Sequence, residues 1–195
     1  DLAYDSDQQL FTAEGQHIWQ TDPFTTIVGA RYQHEQFDTS SQVSQPSGIP
    51  FWPPVVFNDL LADQTVTSTL ERFSAYGYEY WRVAPGWLTL VGGVAYDHLD
   101  YPVNHRSSPI AVEEDSVDKV SPKAGFIATP LKNTSVRASY TQSLGGVSYD
   151  QSYRLEPTQV AGLVQTYRSL IPESVYGSLA APDFELASAL VEHRL

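Results

Sequence analysis

The stretch SPKAGFIATPLKNTSVRASYTQS, residues 121–143, reverses direction once and keeps the same beat on both sides of the reversal. Before the reversal Ala124, Phe126 and Ala128 alternate with Lys123, Gly125 and Thr129; after it Val136, Ala138 and Tyr140 alternate with Ser135, Arg137, Ser139 and Thr141. A period of two is the mark of a β-strand with one apolar face, and the intervening PLKN supplies turn residues, so the stretch predicts a hairpin. What surrounds the face carrying Lys123 and Arg137 decides the fold.

The same plan recurs in pairs along the chain. Leu10 to Gln20 sets Phe11, Ala13, His17 and Trp19 on one face, and Thr25 to Phe37 sets Val28, Ala30 and Tyr32 opposite Gly29, Arg31, Gln33 and Glu35. In the next pair, Ser68 to Arg82 is read with Tyr76, Tyr78 and Tyr80 on one face against Gly77 and Glu79. Trp87 to Leu99 then sets Leu88, Leu90, Val94 and Tyr96 against Thr89, Gly93, Ala95 and Asp97. Phe184 to Arg194 reads as a seventh strand.

The connections alternate too. TDPF, APGW and PLKN are short turns, whereas residues 38–67, 100–118 and 144–182 are long. Several long loops at one edge are unusual in a compact soluble domain, but they are the ordinary plan of a transmembrane β-barrel. Strand runs of about ten to fourteen residues match the nine to eleven needed to cross a bilayer at a tilt.

Composition narrows the choice. The 195 residues and 42% hydrophobic content suffice for one core. Twelve Tyr, eight Phe and four Trp suit strands and interfaces. A net charge of −12 with only eleven Lys and Arg argues against a nucleic-acid partner. Cysteine is absent, which removes disulfides, thiolate metal sites and a Cys nucleophile and leaves the redox compartment open. No apolar window approaches eighteen residues, so a transmembrane helix is not expected, a test to which barrel strands are silent. The first residues, DLAYDSDQQL, carry neither an initiator nor a signal segment, so a piece of a longer chain is expected.

Aromatic side chains gather near the strand ends. Trp19 and Phe24 flank the first short turn, Tyr80, Trp81 and Trp87 the second, and Tyr32, Phe37, Tyr96 and Tyr101 lie towards the long loops. Trp19, Phe24, Tyr80, Trp87 and Tyr96 are accordingly expected in interfacial girdles, where amphipathic rings sit at headgroup level. In a soluble β-sandwich the same rings would fill the core.

The run DKVSPKAGFIATPLKNTSVRASYTQSL, followed by RLEP and FELASALVEHRL, resembles the barrel portion of TonB-dependent outer-membrane receptors, and is also similar to porin-like outer-membrane barrels. Ser121, Pro122 and Gly125 match that family's SP-x-x-G strand, Arg137 and Tyr140 its R-x-x-Y strand, Leu155 and Pro157 its L-x-P-E segment, and Glu185 its acidic strand opening. Thr158 stands where the family has Glu, and SLGGVSYDQSYR replaces a GFRAP-like run.

The resemblance implies one partial, antiparallel up-and-down transmembrane β-barrel domain over residues 1–195. Its plug domain and the segment that engages an energy-transducing periplasmic partner would lie outside the chain. Seven strands cannot close a bacterial barrel, so further strands are expected at both edges.

Two loops stand apart. Residues 44–63 place Ile49, Phe51, Trp52, Val55, Val56 and Phe57 where a solvated loop is usually polar; Phe51 and Trp52 are candidate ligand contacts, the plainer reading being a loop packed on its neighbours. Residues 155–172 have apolar residues at spacings of three and four and predict a short amphipathic helix between Pro157 and Pro172.

No catalytic or metal site is expected. His17, His34, His98, His105 and His193 share no ligand spacing, and no nucleophile-elbow, phosphate-loop or zinc-peptidase motif occurs. The acidic run VEEDSVDK, residues 112–119, lacks calcium-loop spacing and reads as a solvated loop, and Ser107 and Ser108 near Asp97, His98 and Asp100 lack a hydrolase motif. No cofactor is expected.

Arg31, Glu35, Glu79, Asp97, Lys123 and Arg137 fall on the face opposite the apolar one and are the lumen-facing candidates. At mid-bilayer on the lipid side Arg or Lys costs about 2–4 kcal/mol, whereas a wet lumen accepts them. The sequence therefore points to the wall of an outer-membrane receptor, in contact with outer-membrane lipid of a Gram-negative-type cell, that takes up a small-molecule ligand without catalysis. A passive porin or anchoring barrel and a soluble sandwich-type binding module are the alternatives.

Overall fold

The computed structural model describes residues 2–43, 63–103, 113–145, 154–165, 181 and 183–194. Among them there is no helix. Strands β1 (Leu2–Gln20), β2 (Phe24–Val43), β3 (Asp63–Ala84), β4 (Leu88–Pro102), β5 (Glu114–Leu131), β6 (Thr134–Leu144) and β9 (Asp183–His193) form one antiparallel sheet in the order β1-β2-β3-β4-β5-β6-β9. Two short strands, β7 (Gln159–Val160) and β8 (Leu163–Val164), form a separate hairpin between β6 and β9. Large-sheet strands that follow each other in the chain are neighbours in space, as an up-and-down sheet requires.

The hairpin of residues 121–143 has Ala124, Phe126 and Ala128 opposite Tyr140, Ala138 and Val136, with Lys123 opposite Thr141. On its other side β6 pairs with β9, Val136 against Val191 and Ala138 against Ala189. Apolar residues thus line up across three strands on one face, the arrangement that fixes register, since a slip of one residue would exchange the faces. The short turns follow from their residues. In Ala84–Trp87 the Trp87 amide donates to the Ala84 carbonyl at 2.9 Å, and Gly86 takes φ 77° after Pro85, as a type II turn requires.

Strands β1 to β5 run 15 to 22 residues, longer than the sequence periodicity predicts, while β6 and β9 keep the expected length at 11. The excess comes from the long-loop side. The acidic run read as a loop belongs from Glu114 onward to β5, because Ser116, Val117 and Asp118 extend the alternation of the strand proper.

Contacts divide the chain into two compact units, one of residues 1–11, 33–71 and 100–116, the other of 12–32, 72–99 and 117–195. In the first, Glu35, Phe37 and Leu70 are buried, and His34 Nδ1 lies 3.1 Å from Glu71 Oε1. In the second, Tyr76, Tyr78, Val91, Ala95, Val160 and Ala161 form an apolar cluster flanked by Ile27, Tyr80 and Ile127.

Two further segments differ from the sequence expectation. The helix predicted over 155–172 is, through Gln165, an extended segment turning back at Ala161 (φ 54°) and Gly162 (φ 75°); two successive left-handed residues are incompatible with a right-handed helix. Residues 166–172 lie outside the described ones. The faces of β3 are also the reverse of the expectation: Tyr76 and Tyr78 are buried, so Gly77 and Glu79 belong to the opposite face.

Glycines account for the reversal. A Cβ on Gly93 would come within 2.7 Å of the Tyr78 ring, and one on Gly29 would overlap the Tyr76 ring. Each tyrosine therefore lies over a glycine of a neighbouring strand on the buried face. Gly93→Val should destabilise the purified protein by about 1–3 kcal/mol, the usual cost of overpacking. Gly92→Val, where a Cβ would meet nothing within 4 Å, should stay within about 0.5 kcal/mol. Urea unfolding of the two variants checks the difference, and equal losses would contradict the packing account.

Candidate functional site

Charged and hydroxyl side chains of the larger unit converge on its buried face in three linked groups. The first joins β3, β4 and the end of β6. Arg72 donates to Asp97 Oδ1 from Nη2 at 2.7 Å and from Nε at 3.1 Å, Ser74 donates to the same oxygen at 2.6 Å, and Arg72 Nη2 also reaches the Leu144 carbonyl at 2.9 Å. Arg72 and Asp97 are both about 5% exposed or less. A buried carboxylate is tolerable only with such saturation by donors.

The second group centres on Glu156 in the segment after β6. Tyr78 donates its hydroxyl to Glu156 Oε1 at 2.5 Å, Arg154 Nε donates to Oε2 at 3.1 Å, and Lys123 Nζ stands 3.7 Å from Oε1. Lys123 also donates to Gln165 Oε1 at 2.6 Å and to the Gln142 carbonyl at 3.2 Å, while Gln165 Nε2 donates to the Tyr78 hydroxyl at 3.0 Å and to the Pro157 carbonyl.

The third group lies on β1 and β2. The Glu14 carboxylate accepts the Tyr76 hydroxyl at 2.9 Å and the backbone amides of Leu155 and Glu156 at 2.9 and 3.1 Å, with Arg31 Nε at 4.0 Å.

The hairpin β7–β8 packs against the same face. Val160 and Ala161 are fully buried, and the missing Cβ of Gly125 makes room for them: one placed there would come within 2.9 Å of Ala161 and 3.2 Å of Val160. Arg137 lies beneath Gly162, its Nη1 2.7 Å from where a Cβ would stand, and its Nε donates to Ser135 at 3.4 Å.

The opposite face is apolar and exposed. In the larger unit it presents Val28, Ala30 and Tyr32 on β2, Phe73 on β3, Leu90, Val94 and Tyr96 on β4, Phe126 on β5 and Tyr140 on β6. On β4 the band runs from Leu88 to His98, about 33 Å along the strand at a rise near 3.3 Å, or about 25 Å in height at a tilt near 40°. Polar groups bound it on the long-loop side. His98 Nδ1 lies 3.0 Å from Asp118 Oδ1, Tyr96 donates to that oxygen, and Tyr140 donates to Glu185. On the short-turn side Phe24 stacks on Trp81 with ring centroids 5.9 Å apart.

The expected residues distribute as follows. Arg31, Asp97 and Lys123 are buried in the polar groups described, and Arg137 flanks the hairpin. Glu35 is buried in the other unit. Glu79 is corrected: its Oε2 accepts the Thr26 hydroxyl at 2.6 Å on the face of Val28 and Ala30, because Tyr76 and Tyr78 take the buried positions. Of the girdle set, Trp19, Phe24, Trp87 and Tyr96 are exposed, whereas Tyr80 lies on the buried face against the apolar cluster, and Trp81 has the exposed position instead. Phe51 and Trp52 lie outside the described residues, as do Ser107 and Ser108.

Sequence reasoning missed Glu14, Arg72, Ser74, Tyr78, Arg154, Glu156 and Gln165. Glu14 was readable, since it falls between Ala13 and Gly15 on the non-apolar beat of β1. Glu156 and Gln165 carried no such signal, because their segment follows no strand period. Among the described residues no group of three or more His, Asp or Glu is placed to hold a metal ion.

Comparison with known proteins identifies the fold. A family model described as TonB dependent receptor-like, beta-barrel, matches residues 2–177. Among solved structures, a chain described as the copper transporter OprC is similar with a TM-score of 0.54 and 14% identity, over 76% of this chain. The chain spans 23% of the length of that structure, and at this identity the likeness is one of fold. No curated protein sequence matches. With the family model matching most of its length, and seven antiparallel strands joined in sequence, the chain belongs to the TonB-dependent receptor-like β-barrel family.

Proposed function

We propose that this chain is part of the barrel wall of an outer-membrane receptor that takes up a small ligand across the outer membrane of a Gram-negative-type cell, without chemistry of its own. The observation that carries the reading is the inversion of the two faces: the exposed face is apolar over a bilayer's height, while the covered face holds Arg31, Arg72, Asp97 and Lys123. A soluble sandwich would bury the apolar face and wet the polar one. In the membrane reading both faces make sense, one meeting lipid and the other a lumen.

Arg31, Glu35, Asp97, Lys123 and Arg137 are then the lumen-side charges. Trp19, Phe24, Trp81 and Trp87 belong to a short-turn girdle and Tyr96 to the long-loop one. Glu79 sits two residues from Trp81, at the edge of the band, where a charge costs about 0–1 kcal/mol. Phe51 and Trp52 are the proposed ligand contacts from the long-loop side. A plug domain and an energy-transducing periplasmic partner, general features of the family, would complete the transporter. A passive porin remains the second reading, and the family match favours the receptor.

Single cysteines at Ser107 and at Lys132, in a long loop and a short turn, test the orientation in the full-length protein, to which this chain contributes no thiol. An impermeant maleimide applied to intact cells should label position 107 and spare 132 until the cells are broken. Labelling of neither site before lysis, with the protein in the soluble fraction, would sink the membrane reading. Val94→Arg, in the middle of the exposed band, should lower stability in bilayers by about 2–4 kcal/mol, and Val120→Arg, close to the rim, by about 0–1 kcal/mol. Equal costs measured by reversible denaturant unfolding would mean that the band does not face lipid.

A further inference from the structure

Leu155 is held in an unusual way. Its amide donates to Glu14 Oε2 at 2.9 Å, and its carbonyl accepts from Gln16 Nε2 at 2.7 Å, so two side chains of β1, two residues apart on one face, satisfy both backbone polar groups of one residue. A segment crossing the face of a sheet cannot pair with strand edges, yet its backbone groups still need partners. Glu14 supplies a second one, accepting the Glu156 amide at 3.1 Å. The far end of the segment is held from β5 and β3, by Lys123 to Gln165 at 2.6 Å and by Gln165 to Tyr78 at 3.0 Å. Between the two ends, Val160 and Ala161 fill the recess over Gly125.

We infer that Arg154–Gln165 is a strap latched across the inside of the wall by Glu14 and Gln16, and that this strap, not the strands beneath it, is the surface a passing ligand meets there. The inference rests on the lumen reading of the covered face. The strap turns Leu155, Thr158, Gln159 and Val164 away from the wall, Val164 being 64% exposed, while Lys123, Tyr78 and Asp97 are sealed under it or beside it. Ligand selectivity on this side is therefore assigned to those strap residues rather than to the charged strand residues. Glu14 is a positioning residue: it acts on the ligand path only through the strap.

The test is a disulfide trap in the full-length protein in the outer membrane of intact cells. With Gly125→Cys and Ala161→Cys the two Cβ atoms start about 2.9 Å apart, and a shift of about 1 Å reaches the usual disulfide separation near 3.8 Å. Mild oxidation should protect both thiols from a polyethylene-glycol maleimide added after denaturation. Gly92→Cys paired with Ala161→Cys, on the opposite face, should leave both thiols reactive. Adding Glu14→Gln should slow trapping about tenfold, the scale of one lost charge-assisted hydrogen bond, with membrane yield unchanged. Gln16→Leu, which keeps the carboxylate, should slow it less.

Because a side chain at 125 also presses on the Ala138 carbonyl, 2.8 Å from its Cβ, Ala161→Cys alone, with Gly125 intact, is the second measurement. If the pair at 125 and 161 fails to form and this lone thiol reacts freely with a small maleimide in native protein whose labels at 107 and 132 show the expected orientation, the strap is not seated and the inference is overturned, whereas a protected lone thiol upholds it. Trapping at the original rate in both latch variants overturns the role of Glu14 and Gln16. Efficient trapping in protein whose 107 and 132 labels contradict membrane crossing would leave a seated strap and overturn its place in a ligand path, so the two failures are distinguishable.

Discussion

The Lys123–Glu156 pair ties the structure together. It joins β5 to a segment that belongs to no strand of the large sheet, and through Tyr78, Arg154 and Gln165 it reaches β3 and both ends of that segment. Burying two charges costs several kcal/mol each, and their attraction offsets this only where the remaining lone pairs and protons are also satisfied. Here both conditions hold: Glu156 has three donors around it, and Lys123 has two acceptors besides the carboxylate. Such an arrangement fixes one geometry more than it adds stability, because every member must be in place for any of them to be tolerated.

That requirement propagates to the backbone. Val160 and Ala161 can lie flat on the wall only because Gly125 has no side chain, and Tyr76 and Tyr78 can lie inward only over Gly29 and Gly93. The tyrosines then place hydroxyls where Glu14 and Glu156 need donors. Apolar packing and polar saturation are thus supplied by the same two rings. Between its aromatic ends and the charge at Glu79 near its short-turn edge, the outward face is left with aliphatic, aromatic and small residues such as Val28, Ala30, Phe73, Leu90, Val94 and Phe126, which is what a strand facing hydrocarbon needs.

Much of this was legible from period-two alternation. The hairpins, the seventh strand, the short turns on one side and the long connections on the other follow from residues such as Pro85, Gly86 and the alternating Ala124, Phe126 and Ala128. Alternation assigns two faces but does not say which of them a tyrosine prefers, since a tyrosine suits both an interface and a polar core. In β3 that ambiguity reversed the reading of Tyr76, Tyr78, Tyr80 and Glu79. The opposing glycines on β2 and β4 were the missing cue, visible in the sequence but interpretable only once neighbours were known. The strap was misread for a different reason. Val160, Leu163, Val164 and Tyr167 have helical spacing, but Ala161 and Gly162 form a tight turn whose hydrophobic residues are anchored by partners over thirty residues away in the chain.

Whether one face of this sheet meets lipid and the other does not can be read from spin labels placed one at a time from Lys123 to Ala128 in the full-length protein in bilayers. Collision with oxygen, which concentrates in hydrocarbon, should peak at 124, 126 and 128 and fall at 123, 125 and 127. A flat profile, or high access of a water-soluble nickel reagent at Phe126, would contradict the account.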